Sequence, residues 1–154
     1  MKTKTRSHKK ISAIGALAAT AAGRKARLLF RLHPGKNVGG AECVAFLEQL
    51  KLNFPRRQVF VIWDGLRAHW GKKVLRWKKR HPRIHLFKLP PYAPELNPIE
   101  YAWGHLKYHQ LANLAPESEE ELFGEAKKAI CALRKRPDLL KSFLRHAPIN
   151  FFAE

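Results

Sequence analysis

Five consecutive apolar residues, Val59-Phe60-Val61-Ile62-Trp63, end at Asp64-Gly65, and this run constrains the fold more than any other stretch of the chain. A strand half-exposed to water alternates apolar and polar side chains. An unbroken run predicts burial on both faces, as in the centre of a sheet covered by helices. Trp70, Val74 and Trp77 then recur at helical spacing, while Lys72, Lys73, Arg76, Lys79 and Arg80 fall mostly on the opposite side. His81-Pro82 closes that helix, and Ile84–Leu89 reads as a further short strand. Strand, helix, strand in that order predicts a crossover between two parallel strands.

The remaining segments extend this core. Lys10–Ala18 and Lys25–His33 are strand-like runs, separated by a small-residue turn ending at Gly23 and closed by Pro34-Gly35. Cys43, Phe46, Leu47, Leu50 and Phe54 mark one face of a helix that Pro55 ends. Past the proline-rich turn Pro90–Pro94, Asn97 and Pro98 supply an N-cap and a first helical residue, with Ile99, Trp103 and Leu106 facing inward. A longer helix begins near Ser118 with three glutamates and ends in Arg134-Lys135-Arg136, a polarity that suits the helix dipole. A last helical segment covers Pro137–Leu144. The expected class is α/β with helices added at the C-terminal end, and 154 residues fit one domain.

Charge narrows the function. Lys and Arg number 30 against 12 Asp and Glu, a net +18, in a chain whose apolar fraction of 45% is that of a folded protein. Such an excess repels itself in the compact state and calls for a polyanionic partner. Nucleic acid is the first candidate, since each neutralised phosphate releases a counterion. Cys43 and Cys131 lack metal-ligand spacing and fall on apolar helix positions, so buried free thiols in a reducing cytoplasm are expected. Basic Met1–Lys10 followed by apolar Ile11–Ala22 mimics a secretory signal, but the apolar part is mainly Ala and Gly. It reads better as a basic lead-in to a strand, and no apolar run nears the roughly 18 residues of a membrane span.

Asp64 is the one acidic residue that ends a buried strand, where the functional crevice of an open α/β sheet lies. An Asp opening a turn with Gly65 is an equally common reading. Glu100 follows the next strand and its proline-rich loop, in the first turn of a helix. By itself, Asn97-Pro98-Ile99-Glu100 favours a capping box, with the glutamate reaching back to the Asn97 amide. The pair changes the balance, because one parallel crossover brings both carboxylates beyond the same ends of adjacent strands. Two carboxylates meeting there repel and push one pKa upward, a conflict that a hard divalent cation such as Mg2+ or Mn2+ relieves. His69 is expected as an ordinary surface histidine, with approach to a phosphate of bound nucleic acid as the functional alternative. The cations Lys72, Lys73, Arg76, Lys79 and Arg80 are the best candidates for DNA contact, with a solvated charged face as the rival.

Val61-Ile62-Trp63-Asp64-Gly65-Leu66-Arg67-Ala68-His69 and Leu89–Trp103, with its Pro-Pro-Tyr-Ala-Pro-Glu-Leu-Asn-Pro-Ile-Glu core, resemble two active-site blocks of mariner-like DDE transposases, in particular the bacterial insertion-sequence 630 group. The 35 residues between Asp64 and Glu100 suit that family. The resemblance implies an RNase H-like mixed sheet and metal-dependent phosphodiester chemistry on DNA. It also implies Asp64 and Glu100 as the second and third metal-binding carboxylates, with Glu95 not a ligand. Residues 1–112 correspond to a partial catalytic domain, and 113–154 to a helical extension of it.

The family pattern is incomplete here. Its first carboxylate belongs on a strand ahead of Lys10–Ala18, yet the only acids before Asp64 are Glu42 and Glu48, both in a helix pattern. The missing strand would be the central one, beside the Asp64 strand, and no helix-turn-helix module is apparent. Expected partners are therefore DNA at transposon ends and target, an upstream fragment or fusion supplying the first Asp, and further copies of the chain on DNA. A bacterial, nucleoid-associated cytoplasmic location follows from the same resemblance. The alternative is a catalytically inactive remnant that binds DNA non-specifically. The charge carries its own test: DNA affinity, followed by fluorescence anisotropy, should fall about 10³-fold or more between roughly 50 and 200 mM salt. A flat salt response would refute the polycation reading.

Overall fold

The computed structural model describes residues 10–148. The basic lead-in of residues 1–9 lies outside the described residues; the apolar stretch after it forms a strand. The elements run β1 (Ile11–Ala19), β2 (Ala26–Pro34), α1 (Gly40–Asn53), β3 (Val59–Trp63), α2 (Lys72–Lys79), β4 (Ile84–Lys88), α3 (Pro98–His105), α4 (Glu119–Arg134) and α5 (Pro137–His146). Each lies within a few residues of its expected position.

β1 and β2 form an antiparallel hairpin from Ile11↔Pro34 to Ala19↔Ala26. Its turn closes through a Gly23 N–H donated to the Thr20 carbonyl, 2.8 Å, with Gly23 at φ 63°, a left-handed conformation that costs glycine nothing. β3 and β4 pair in parallel from Val59↔Ile84 to Trp63↔Lys88, as the crossover predicts. The two pairs are separate sheets: among the described residues no ladder joins β1 or β2 to β3 or β4. A mixed set of strands is present, but its two halves do not touch through the backbone.

Helices hold the halves together. Cys43, Phe46, Leu47 and Leu50 of α1 form one core with Ile14 and Leu29 of the hairpin, Val61, Trp63 and Ile84 of the parallel pair, and Val74 and Trp77 of α2. A second core lies across the hairpin. There Ala26 and Leu28 of β2 meet Ile99, Ala102 and Leu106 of α3, Ile130 and Leu133 of α4, and Leu140, Phe143 and Leu144 of α5. β2 alternates strictly, with Leu29 in the first core and Leu28 in the second, as a strand between two helical layers must.

Three expectations are corrected. β3 is not buried on both faces: Val61 and Trp63 are buried, but Phe60 is 63% and Ile62 40% exposed. The C-terminal helices cover the hairpin and stop short of the parallel pair. Phe60 instead stacks on His85 and Phe87 across that bare face, at centroid distances of 4.8 and 6.1 Å. The helix after Asp64 is two pieces, a 3-10 turn Arg67–Trp70 and then α2, divided by an extended Gly71. Cys131 is only half-buried, while Cys43 is fully buried, and both thiols are free.

Gly15 locks the hairpin onto α3. A Cβ there would lie 2.6 Å from Cζ2 of Trp103 and 3.3 Å from the Leu29 carbonyl. Gly15→Ala should therefore lower stability by about 1–3 kcal/mol, the usual cost of overpacking, read as a shift in the urea midpoint. An unchanged midpoint would show that Trp103 moves aside freely.

Candidate carboxylate site

Asp64 leaves β3 at its carboxyl end and is held by the turn that follows. Its Oδ1 accepts the Leu66 backbone N–H at 2.9 Å, the local bond by which an aspartate mimics a turn. Its carbonyl accepts the Trp70 indole N–H at 2.8 Å. His69 Nδ1 approaches the same Oδ1 at 2.9 Å. The turn role expected of an Asp before Gly65 is therefore real, and it occupies one carboxylate oxygen. Among the described residues no donor reaches Oδ2.

Glu100 sits in the first turn of α3, its backbone N–H bonded to the Asn97 carbonyl at 3.0 Å. The capping box is not formed, since neither Asn97 nor Glu100 makes a side-chain bond to the other's backbone amide. The carboxyl is thus free of the structural duty its spacing suggests. Its pKa lies above the ordinary 4.5, first because surrounding protein desolvates it and second because the Asp64 charge repels it, even though the side chain reaches solvent. The first turn of α3 thus lies within electrostatic reach of the carboxyl end of β3. The loop between β4 and α3 is tied down by the Tyr101 hydroxyl, which donates to the Glu95 carbonyl at 3.1 Å. At its tip Tyr92 is fully exposed at φ 57°, an unusual conformation for an aromatic residue.

His69 differs from the surface histidine expected. It is 9% exposed and lies flat on the Trp63 indole, centroids 4.2 Å apart and planes within 4°. Burial lowers its pKa, against the pull of Asp64 in the other direction. Its backbone role in the 3-10 turn, and the Trp70 bond to Asp64, had no signal in the sequence. Lys72, Lys73, Arg76, Lys79 and Arg80 are all exposed, and among the described residues none is ion-paired.

Asp64 and Glu100 are oxygen donors, and their mutual repulsion is of the kind a divalent cation removes. Magnesium needs no more than one or two carboxylates when water and substrate phosphate complete its shell, so the pair fits it. Among the described residues no group of three His, Cys, Asp or Glu gathers to form a complete protein ligand set.

Glu100 also makes folding pH-dependent. Its folded pKa is raised, so its favourable contribution exists below the unfolded value and is lost as pH rises through the folded one. Glu100→Gln, which cannot ionise, should raise Tm at pH 7 and give no gain at roughly pH 3, by calorimetry. Asp64→Asn should lower the Glu100 pKa in a carboxyl 13C NMR titration. An unmoved pKa would mean the two groups are not coupled.

The sequence matches the family described as DDE superfamily endonuclease over residues 2–123. The structure is similar to the Mos1 mariner transposase catalytic domain at 16% identity and a TM-score of 0.59, covering 91% of this chain and 76% of that one. The Mos1 catalytic domain solved with raltegravir and Mg gives 17% identity, the same TM-score of 0.59, and coverage of 91% and 77%. The Mos1 paired-end complex with the left transposon end gives 18% identity and a TM-score of 0.56 over 96% of this chain and 47% of that one. No curated protein sequence gives a significant match. At these identities the structural likeness establishes the fold, that of an RNase H-like catalytic domain. The sequence match spans well over half the chain, and the chain belongs to the DDE superfamily endonuclease family.

Proposed function

We propose that the chain is the C-terminal part of a DNA transposase catalytic domain of the insertion-sequence 630 group, which cuts and joins DNA strands together with an upstream fragment. In this reading residues 1–112 are the partial catalytic domain and 113–154 its helical extension. The observation that carries it is the placement of Glu100, in the first turn of α3, within electrostatic reach of Asp64 at the carboxyl end of β3. The family match and the transposon-end complex of a structural relative favour DNA as substrate.

Asp64, through its free oxygen, and Glu100 would hold Mg2+ or Mn2+. When bound, the cation would supply activation of the attacking hydroxyl and charge stabilisation of the leaving oxygen at the phosphodiester. The protein's part is to keep both carboxylates at one end of the strands: Leu66 and Trp70 fix Asp64, and the N-terminus of α3 fixes Glu100. Lys72, Lys73, Arg76, Lys79 and Arg80 would hold the DNA backbone, with His69 beside the scissile region. The first Asp would arrive on a strand seated against the open edge of β3, which among the described residues pairs only with β4. Transposon ends and target DNA would be the partners, with several copies assembled on DNA in a bacterial nucleoid. Among the described residues no helix is long and apolar enough to cross a membrane.

A second reading, an inactive remnant that only binds DNA, is favoured by the lack of a three-residue metal cluster among the described residues. One experiment separates the two. The chain is combined with the segment encoded immediately upstream and assayed for Mg2+-dependent nicking of element-end DNA. Nicking should appear and be abolished by Asp64→Asn or by Glu100→Gln. Nicking that survives Asp64→Asn would overturn the site assignment, while salt-sensitive binding without nicking would favour the remnant.

A further inference from the structure

The geometry points to His69 as a positioning residue that orients the Asp64 carboxylate, holding Oδ1 in the protein and leaving Oδ2 for a cation. This rests on the reading of Asp64 as a metal ligand, and it assigns His69 a duty different from DNA contact.

Three observations carry it. His69 Nδ1 is sealed from solvent and has no well-aligned hydrogen-bond acceptor, yet it lies 2.9 Å from Asp64 Oδ1, a short but off-axis approach. A buried N–H with no other outlet is a costly group, so Asp64 is the partner that decides where the imidazole keeps its proton. The ring cannot swing away, because the Trp63 indole lies against it at 4.2 Å in a nearly parallel stack. Its backbone is fixed as well, since the His69 N–H donates to the Leu66 carbonyl at 2.9 Å.

Leu66 and His69 thus address the same oxygen from two sides, and Trp70 fixes the Asp64 main chain. A side chain held this way has already lost the rotamer freedom that cation binding would otherwise remove. Groups that orient a ligand from behind typically change metal affinity by about 10–100-fold when removed. A purely structural histidine, present only to fill space over Trp63, would need its ring and not its Nδ1 proton.

The test uses the full chain and Mn2+ alone as the probe. The 15N NMR spectrum of the His69 ring should place the proton on Nδ1, and Asp64→Asn should abolish that preference. Mn2+ affinity is read from paramagnetic broadening of the Gly65 and Tyr101 amides. His69→Phe keeps the stack but has no N–H, and should weaken Mn2+ by about tenfold or more. His69→Asn, whose amide nitrogen sits where Nδ1 does, should restore affinity, whereas His69→Gln should not. A proton found on Nε2, or a His69→Phe chain that binds Mn2+ as well as wild type while Asp64→Asn loses it, would overturn the positioning role and leave the metal reading intact. If Asp64→Asn leaves the broadening unchanged, the metal reading itself fails and takes this inference with it. Should His69→Phe fail to fold, the ring spectrum and the contrast between Asn and Gln still decide.

Discussion

A core built on the apolar faces of α1 and α2 makes one body of two strand pairs that, among the described residues, share no backbone hydrogen bonds. A two-stranded sheet by itself is marginal in water, and each pair here carries an open edge of unpaired backbone groups. Cys43, Phe46, Leu47 and Leu50 share one core with residues of both, together with Val74 and Trp77 of α2, so the position of Asp64 relative to the hairpin depends on that core. The second core acts on one half only. α3, α4 and α5 pack on β2 and leave Phe60 and Ile62 of the other half in solvent. Large apolar groups on a sheet face beside an open edge form the kind of surface that another segment would complete.

The site inherits its geometry from the parallel register of β3 and β4. Trp63 stands opposite Lys88, so the residues that follow each strand emerge at one end. Asp64 shows how a structural and a chemical role share one carboxylate. Oδ1 closes the turn and meets His69, and the other oxygen is left over. Glu100 has no such division, because the capping box its spacing allows is not made. Its pKa is raised by desolvation first and by the Asp64 charge second, and protein sites commonly place such perturbed groups where they do chemistry.

Charge acts on a longer scale. The acids are few and several are already engaged, Glu42 by Lys36 and Glu48 by Lys51 and the Trp77 indole. The Lys36 ion pair and the α1 amides it caps hold the Glu42 pKa down at about 2. Among the described residues the cations of α2 have no such partners, so their field remains available to a polyanion.

The order and type of the elements were legible in the sequence, because hydrophobic period, caps and breakers are local. β3, α1 and the helix starts at Asn97 and Ser118 all follow from them. That Asp64 lies within electrostatic reach of Glu100 was legible too, since a crossover leaves little freedom in where its strand ends emerge. Burial of β3 was not. An apolar run reports that a face is fit for burial, and only the placement of the C-terminal helices decides whether anything covers it. The roles of Trp63, His69 and Trp70 were also hidden, because a ring stack and an indole bond depend on side-chain directions set by a 3-10 turn that no periodicity announces. By itself the sequence determined a basic α/β chain with one acid ending a strand and a second opening the helix after the next strand, since both facts are written in residue types and spacing. The tertiary structure decided that, among the described residues, Glu100 makes no capping box and the two strand pairs share no ladder, because each depends on how segments far apart in the chain are placed.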